Sequence, residues 1–216
     1  MKKIASPLFQ DLSEAELDTL AAAGHLRTRQ FAKHEVIFRA GSCVREIGIV
    51  LRGSVHIENL DLWGTKSILS SVGAGQAFAE TYAFCGEALM VDAVAAEHCE
   101  ILFLHTAALT DARIEPALKD KLLRRLLAVS MRKNLSLSQR IFCTTPKTVR
   151  GRLLTYFSAQ AARCGRMEFE VPFNRQQMAD HLNLDRSALS KELCKMRDEG
   201  LLEFDKNRFV LKQLPE

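Results

Sequence analysis

Apolar positions recur along this chain with two different periods, and the change from one to the other marks out its parts. Ser13 followed by Glu16 in SEAELDTLAAAG has the spacing of a capping box, which opens a short helix that Gly24 closes. The period then drops to two, as in Ile47, Ile49 and Leu51 and again in Val55 and Ile57. Seven of the eleven glycines (Gly41, Gly48, Gly53, Gly64, Gly73, Gly75, Gly86) separate these short runs. Short strands between glycine turns predict an antiparallel β jelly-roll barrel, whose last strand is EILFL at residues 100–104.

From Glu115 to Ile141 the period becomes helical, with Pro116 at an acceptable first-turn position. Such a helix is about 40 Å long at ~1.5 Å per residue, more than a small barrel needs as a lid. Two apolar rows run along it, Leu118, Leu122, Leu126, Val129 and Leu137 beside Leu123, Leu127, Met131 and Leu135. One row can pack on the barrel, and the other needs a partner, most simply the same helix of a second subunit. Leu122, Leu126, Val129 and Leu137 are assigned to that homodimer contact. FCTTP at residues 142–146 predicts a break and hinge, because Pro146 disfavours helical geometry at Thr145. The expected organisation is α+β: a barrel over residues 1–114, a dimerisation helix and hinge over 115–145, and a final domain over 146–216.

That final domain begins with a helix from Lys147 to about Arg163, followed after Gly165 by MEFEVPF, where Phe169, Val171 and Phe173 alternate as in a half-buried strand. Asn174 with Gln177 then forms a second capping box, HLNL supplies a tight turn, and Asp185 caps a helix that Gly200 ends. Two short helices joined by a three-to-four-residue turn predict a helix-turn-helix. On the second helix Leu189, Leu193 and Met196 share the core face, while Arg186, Ser187, Ser190 and Lys191 share a polar face near the N-terminus. That is where a recognition helix presents side chains to the major groove, with Arg and Lys suited to guanine. After Gly200, LLEF and RFVL flank a three-residue turn of Asp205, Lys206 and Asn207, which predicts a wing with Lys206 and Arg208 as phosphate contacts.

Charge agrees with this reading. Residues 1–114 carry 10 basic and 14 acidic side chains, residues 115–146 carry 7 and 2, and residues 147–216 carry 13 and 10. An acidic first half joined to a basic remainder points to an anionic polymer as partner of the second half. No N-terminal apolar segment of signal-peptide type and no run of 18 apolar residues occurs, so a cytoplasmic protein without membrane partners is expected. The six cysteines (Cys43, Cys85, Cys99, Cys143, Cys164, Cys194) contain no C-x-x-C pair, which suits reduced thiols and neither a disulfide framework nor a zinc site.

With these parts in this order, the chain resembles the Crp/Fnr family of bacterial transcription regulators from about residue 8 to 212. The resemblance rests on VIFRAGSCVREIGIVLRGSVHI at residues 36–57 and on the R-Q-x-M-A-x-x-L-x-L-x-R-x-x-L-S-K pattern from Arg175 to Lys191. It implies a homodimer reading a palindromic double-stranded operator, with RNA polymerase as a further partner. It also implies that Arg175 touches phosphate while Arg186, Ser187 and Lys191 read bases. Well-known members carry glutamate where this chain has Ser187. Serine cannot offer cytosine N4 that charge, so a different half-site is expected.

The resemblance also places the sensor in FAETYAFCGEALMVDAV at residues 78–94. Members that bind cyclic AMP use an acidic residue on the ribose, matched here by Glu80, and an Arg-Ser or Arg-Thr pair on the phosphate, where Met90 and Val91 stand. The paired hydroxyls of the long helix correspond to Leu137 and Ser138, so half of that contact is missing. A buried phosphate without its arginine costs several kcal/mol, which speaks against cyclic-nucleotide binding unless Arg39, Arg45 or Arg52 substitutes. The N-terminal cysteine cluster of iron–sulfur members is absent from MKKIASPLFQDL, and no histidine lies between His56 and His98 to pair with Cys85 for haem. His98 with Cys99 reads as a strand edge beside a buried thiol, and no metal or cofactor is expected. The remaining expectation is an apolar effector pocket of Phe84, Leu89, Met90, Val91, Leu126 and Leu137 with Glu80 as its polar handle. A rival reading, a cupin-like barrel enzyme, needs clustered histidines, whereas residues 1–114 hold no H-x-H. An enzyme is therefore not expected.

Overall fold

The computed structural model describes residues 4–60 and 66–212. Gly64, one of the turn glycines named above, lies outside them. The chain divides into two compact units, Met1–Arg132 and Lys133–Glu216.

In the first unit, Ser13 accepts from the Glu16 amide at 3.2 Å while Glu16 accepts from the Ser13 amide at 2.8 Å, and this capping box starts α1 (Glu14–Ala22). The strands β1 (Leu26–Phe31), β2 (Val36–Phe38), β3 (Glu46–Arg52), β4 (Val55–Leu60), β5 (Lys66–Val72), β6 (Ala77–Phe78), β7 (Asp92–Ala95) and β8 (Cys99–His105) pair antiparallel. They form two four-stranded sheets of order β1-β8-β3-β6 and β2-β7-β4-β5, in keeping with the antiparallel jelly-roll barrel expected from period-2 alternation. One core joins the sheets through Phe31, Val50, Val55, Phe78, Ile101 and Phe103. A second covers the outer face of the first sheet, where Leu17 and Leu20 of α1 meet Ile47, Ile49, Leu102 and Leu104. Short α2 (Glu80–Cys85) follows β6 directly.

The long helix α3 runs over Pro116–Thr144, three residues past the expected end. The proline constraint acts only on the residue before it, and Phe142 to Thr144 contain no breaker. Leu118, Leu122 and Leu126 pack into the α1-side core and are at most 8% exposed. This corrects the assignment of Leu122 and Leu126 to a contact between subunits, because their row is consumed inside the chain. The row left open is Leu123, Leu127, Met131 and Leu135, 48–61% exposed, together with Leu137 at 59%. Val129 is half-buried.

Polar contacts hold α3 and the segment entering it in the first unit, among them the pairing of Arg125 with Asp11. Lys121 Nζ meets Glu16 Oε1 at 2.7 Å, and His25 Nε2 lies 2.7 Å from Asp111 Oδ2. Asp111 also accepts from Arg113 Nη2 at 2.6 Å, and that guanidinium reaches the Ala23 carbonyl at 3.2 Å, so the end of α1 is tied to the segment entering α3.

The second unit holds the last turns of α3 and α4 (Val149–Cys164), capped by Thr148. After them come β9 (Glu168–Glu170), α5 (Arg175–Leu182), α6 (Arg186–Asp198), β10 (Leu202–Asp205) and β11 (Arg208–Leu211). The division between units falls within α3, between the bounds expected after residues 114 and 145. Cys143 belongs to the core of the second unit with Phe157, Phe169, Leu189, Leu193 and Phe209, which gathers the end of α3 into it. The three strands pair in the order β10-β11-β9. Asp205 pairs with Arg208, so the wing turn has two residues, Lys206 and Asn207, where three were expected.

Candidate nucleic-acid interface and effector pocket

The α5–α6 pair is set up by its caps. Asn174 and Gln177 form the predicted capping box at 2.9 Å in both directions. Asn183 ends α5 in the left-handed region at φ 53, a conformation asparagine tolerates, and the chain turns into α6. Asp185 caps α6 by accepting from the Ala188 amide at 2.9 Å. The same oxygen accepts from the Ser187 hydroxyl at 2.5 Å. These two bonds, the hydroxyl first, hold the Asp185 carboxyl below its ordinary pKa. Leu189, Leu193 and Met196 are fully buried, so Arg186, Ser187 and Lys191 stand exposed on the opposite face with Ser190 half-buried beside them.

Three arginines fix this pair to its neighbours. Arg150 on α4 donates from Nε to Glu192 at 2.6 Å and from Nη2 to Glu199 at 2.9 Å, gripping α6 at two points. Arg140 near the end of α3 donates to the carbonyls of His181 at 3.2 Å and Asp180 at 3.1 Å. Arg152 donates to the Pro146 carbonyl at 2.8 Å and to those of Leu182 and Asn183 at 3.1 and 2.7 Å. The last carbonyls of α5 and its cap, at 180–183, are thus met by the end of α3 and by α4. Sequence reasoning missed all three arginines. Each is an ordinary cation in a basic segment until the fold brings its partners close.

On the wing, Lys206 is exposed at the tip with φ 50. Arg208 is paired with Glu168 of β9, Nε to Oε1 at 2.8 Å, which partly neutralises it. Arg175 is half-buried, its guanidinium 5.0 Å from the Phe204 ring centroid and 5.1 Å from that of Phe209. Burial lowers its pKa.

In the first unit a pocket of about 240 Å³ opens between α2 and α3. Glu80, Thr81, Phe84 and Cys85 form one wall, and Leu123, Leu126, Leu127 and Ser130 the other. Glu80 is 5% exposed. Among the described residues no arginine or lysine lines this pocket. Among the described residues no group of three or more His, Cys, Asp or Glu side chains is arranged to hold a metal ion, and no helix is long and apolar enough to cross a membrane.

Residues 28–113 match the family model of a cyclic nucleotide-binding domain, and residues 151–216 that of a Crp-like helix-turn-helix domain. The chain belongs to the Crp/Fnr family. It is a transcription regulator of that family with a helix-turn-helix DNA-binding domain. Among solved structures it is similar to the catabolite activator protein of Thermus thermophilus, at 25% identity over 96% of this chain and 94% of that one, with TM-score 0.50. The fold is shared with CprK complexed with OCPA, at 14% identity over 94% and 91% with TM-score 0.64. It is shared also with the c-di-GMP responsive regulator CLP of Xanthomonas campestris, at 19% identity over 93% and 100% with TM-score 0.54. No curated protein matches the chain.

Within this Crp/Fnr chain the sensor residues named from sequence are only partly brought together. Glu80, Phe84 and Leu126 line the pocket; Leu89, Met90 and Val91 do not, and Leu137 belongs to the second unit. Leu89 exchanges backbone bonds with Gly41 and Ser42, and Ala88 bridges to Cys43, so side chains here alternate as in a strand. Leu89 is therefore buried at 5% while Met90 is 77% exposed, which removes Met90 from any apolar lining. Arg39, Arg45 and Arg52 stand apart from the pocket as well, and Arg52 lies 3.7 Å from Glu100. Thr81, Cys85, Leu123, Leu127 and Ser130 were not foreseen as lining, although Leu123 and Leu127 are one helical turn from Leu126 or beside it.

Proposed function

We propose that this Crp/Fnr regulator acts in the cytoplasm as a homodimer on a palindromic operator, and that a small, partly apolar effector held between α2 and α3 controls it. The observation that carries the effector reading is the lining itself: leucines and Phe84 on two walls, Glu80, Thr81 and Ser130 as polar points, and no cation. A cyclic nucleotide would bring its phosphate to a wall without a counter-charge and beside a carboxylate, at a cost of several kcal/mol. The dimer reading is supported by the open row Leu123, Leu127 and Met131. Covering each half-exposed side chain against a second α3 is worth about 1 kcal/mol. An effector lying against Leu123 and Leu127 touches the same row, so its occupancy biases how two such helices meet and hence the reorientation of their recognition helices.

On the DNA, Arg186, Ser187, Ser190 and Lys191 of α6 read base edges, while Arg175, Lys206 and Arg208 face phosphate. The role of Arg208 requires it to leave or share Glu168. RNA polymerase is the further partner, and the chain itself catalyses no reaction. Selection of bound duplexes from a random pool, with and without candidate effectors, tests the whole reading. Recovery of a palindrome with half-sites about one helical turn apart is expected. Thermal-shift screening with cyclic nucleotides and with phenolic and acidic metabolites separates the two effector readings. Stabilisation by cyclic AMP or cyclic GMP alone refutes the apolar one.

A further inference from the structure

A second cavity, of about 290 Å³, lies wholly within the Lys133–Glu216 unit. The last turns of α3, the face of α4, the Pro172–Phe173 segment and His181 of α5 enclose it. It carries an unanswered polar group. Tyr156 is 2% exposed, yet its hydroxyl has no hydrogen-bond partner among the described residues. A buried hydroxyl left so is uncommon in a native fold and calls for a partner that is not part of the chain.

The lining also carries a cation and, among the described residues, no carboxylate. Arg163 hydrogen-bonds the Gln160 amide oxygen at 2.7 Å and stands near enough to Tyr156 to act on it electrostatically. Ser136, Gln139 and Gln160 add uncharged polar groups, and the flat surfaces are aromatic. Phe142 and Phe173 line the cavity, and the His181 ring lies 4.8 Å from Phe173 and 5.6 Å from Tyr156. A hydroxyl donor beside a guanidinium asks for an anionic acceptor, and aromatic walls ask for a ring.

We propose that this cavity binds a small planar aromatic carboxylate, whose carboxylate accepts from the Tyr156 hydroxyl and faces Arg163 while its ring lies against Phe142 and Phe173. Such a ligand touches α3, α4 and α5 together, beside the Arg140 bonds to the end of α5. It therefore sets how firmly the helix-turn-helix is held. The site is separate from the pocket between α2 and α3 and stands whether or not that pocket takes an effector.

The test titrates the full chain with benzoate and phenylacetate, by ligand-detected NMR and calorimetry, with acetate and benzyl alcohol as comparators. Either aromatic acid is expected to bind with Kd below about 1 mM, the affinity expected of so small a ligand, and neither comparator does so. Tyr156→Phe and Arg163→Gln should each weaken binding about tenfold or more, because each removes a bond to a charged group. Arg166→Gln, at an exposed cation outside the lining, should leave binding unchanged. Absence of binding, equal binding of benzyl alcohol, unchanged binding by both variants, or an equal loss in Arg166→Gln each overturns the proposal. So does a crystal grown with benzoate in which only ordered water meets the Tyr156 hydroxyl. If Tyr156→Phe fails to fold, Arg163→Gln at an exposed guanidinium still decides the matter.

Discussion

Gly48 sits in the middle of β3 with Phe78 directly across on β6, and a methyl group there has nowhere to go. A Cβ at position 48 would stand 2.3, 2.5 and 2.8 Å from Cζ, Cε1 and Cε2 of Phe78, where ordinary contact needs 3.4 Å or more. The requirement is space rather than backbone freedom. Phe78 cannot simply swing aside, since it is 2% exposed and its ring lies 5.7 Å from that of Phe38, which in turn packs at 5.6 Å on Phe103. Overpacking of this kind costs about 1–3 kcal/mol, so Gly48→Ala should destabilise the first unit by that amount. Phe78→Leu alone is also destabilising, but it vacates the ring edge that the methyl group strikes. The double variant should therefore be more stable than the sum of the singles by about 1 kcal/mol or more. Hydrogen exchange of β3 and β8 amides reads this locally, without requiring the two units to unfold in one transition. A Gly48→Ala change within about 0.5 kcal/mol of the parent, or strict additivity in the cycle, would refute the reasoning.

Leu127→Glu puts a charge in the open row of α3 and should shift a dimer to monomer in sedimentation at micromolar concentration, while Leu126→Ala, inside the chain, should instead cost about 2–5 kcal/mol of stability. Lys206→Ala should weaken operator binding alike for all sequences and reduce the salt slope by about 1, whereas Arg186→Met should relax preference at one base pair by about 1–3 kcal/mol in a selection assay. Asn174→Ala removes the cap of α5 and should cost about 1 kcal/mol, read from exchange of the first α5 amides. Acid should loosen both units. Glu16 is held below its ordinary pKa of 4.5 chiefly by Lys121, Asp111 below 3.8 chiefly by Arg113, and Glu199 below 4.5 chiefly by Arg150. Each folded pKa is depressed, so the stabilisation is complete above those ordinary values and is lost as pH falls through them toward the folded ones. Circular dichroism from pH 7 to 2 checks this, and stability that stays flat below pH 4 contradicts it.

Much of the architecture was legible because it is written locally. Capping boxes at Ser13 and Asn174, the caps at Asp185 and Gly200, and the stripe Leu189, Leu193, Met196 each need only a few neighbouring residues to be read. The two rows of α3 were visible too, but not which one faces inward. Both are leucine-rich, and the choice belongs to the sheet they meet. The same reason hid the pocket. Met90 and Val91 stand in the same short segment as Glu80, yet backbone pairing with residues 41–43 turns Met90 outward. Long-range cation contacts such as Arg150 with Glu192 and Glu199 leave no periodic trace at all.

The grip of Arg140 and Arg152 on the end of α5 ends on backbone carbonyls at 180–183, not on side chains. Every residue type supplies a carbonyl, so the side chains at those positions can change without disconnecting α3 and α4 from the helix-turn-helix. The attachment of α3 and α4 to the helix-turn-helix is thereby insulated from side-chain changes at those positions. Substitutions on the exposed face of α6, at Arg186, Ser187 and Lys191, leave that backbone attachment intact.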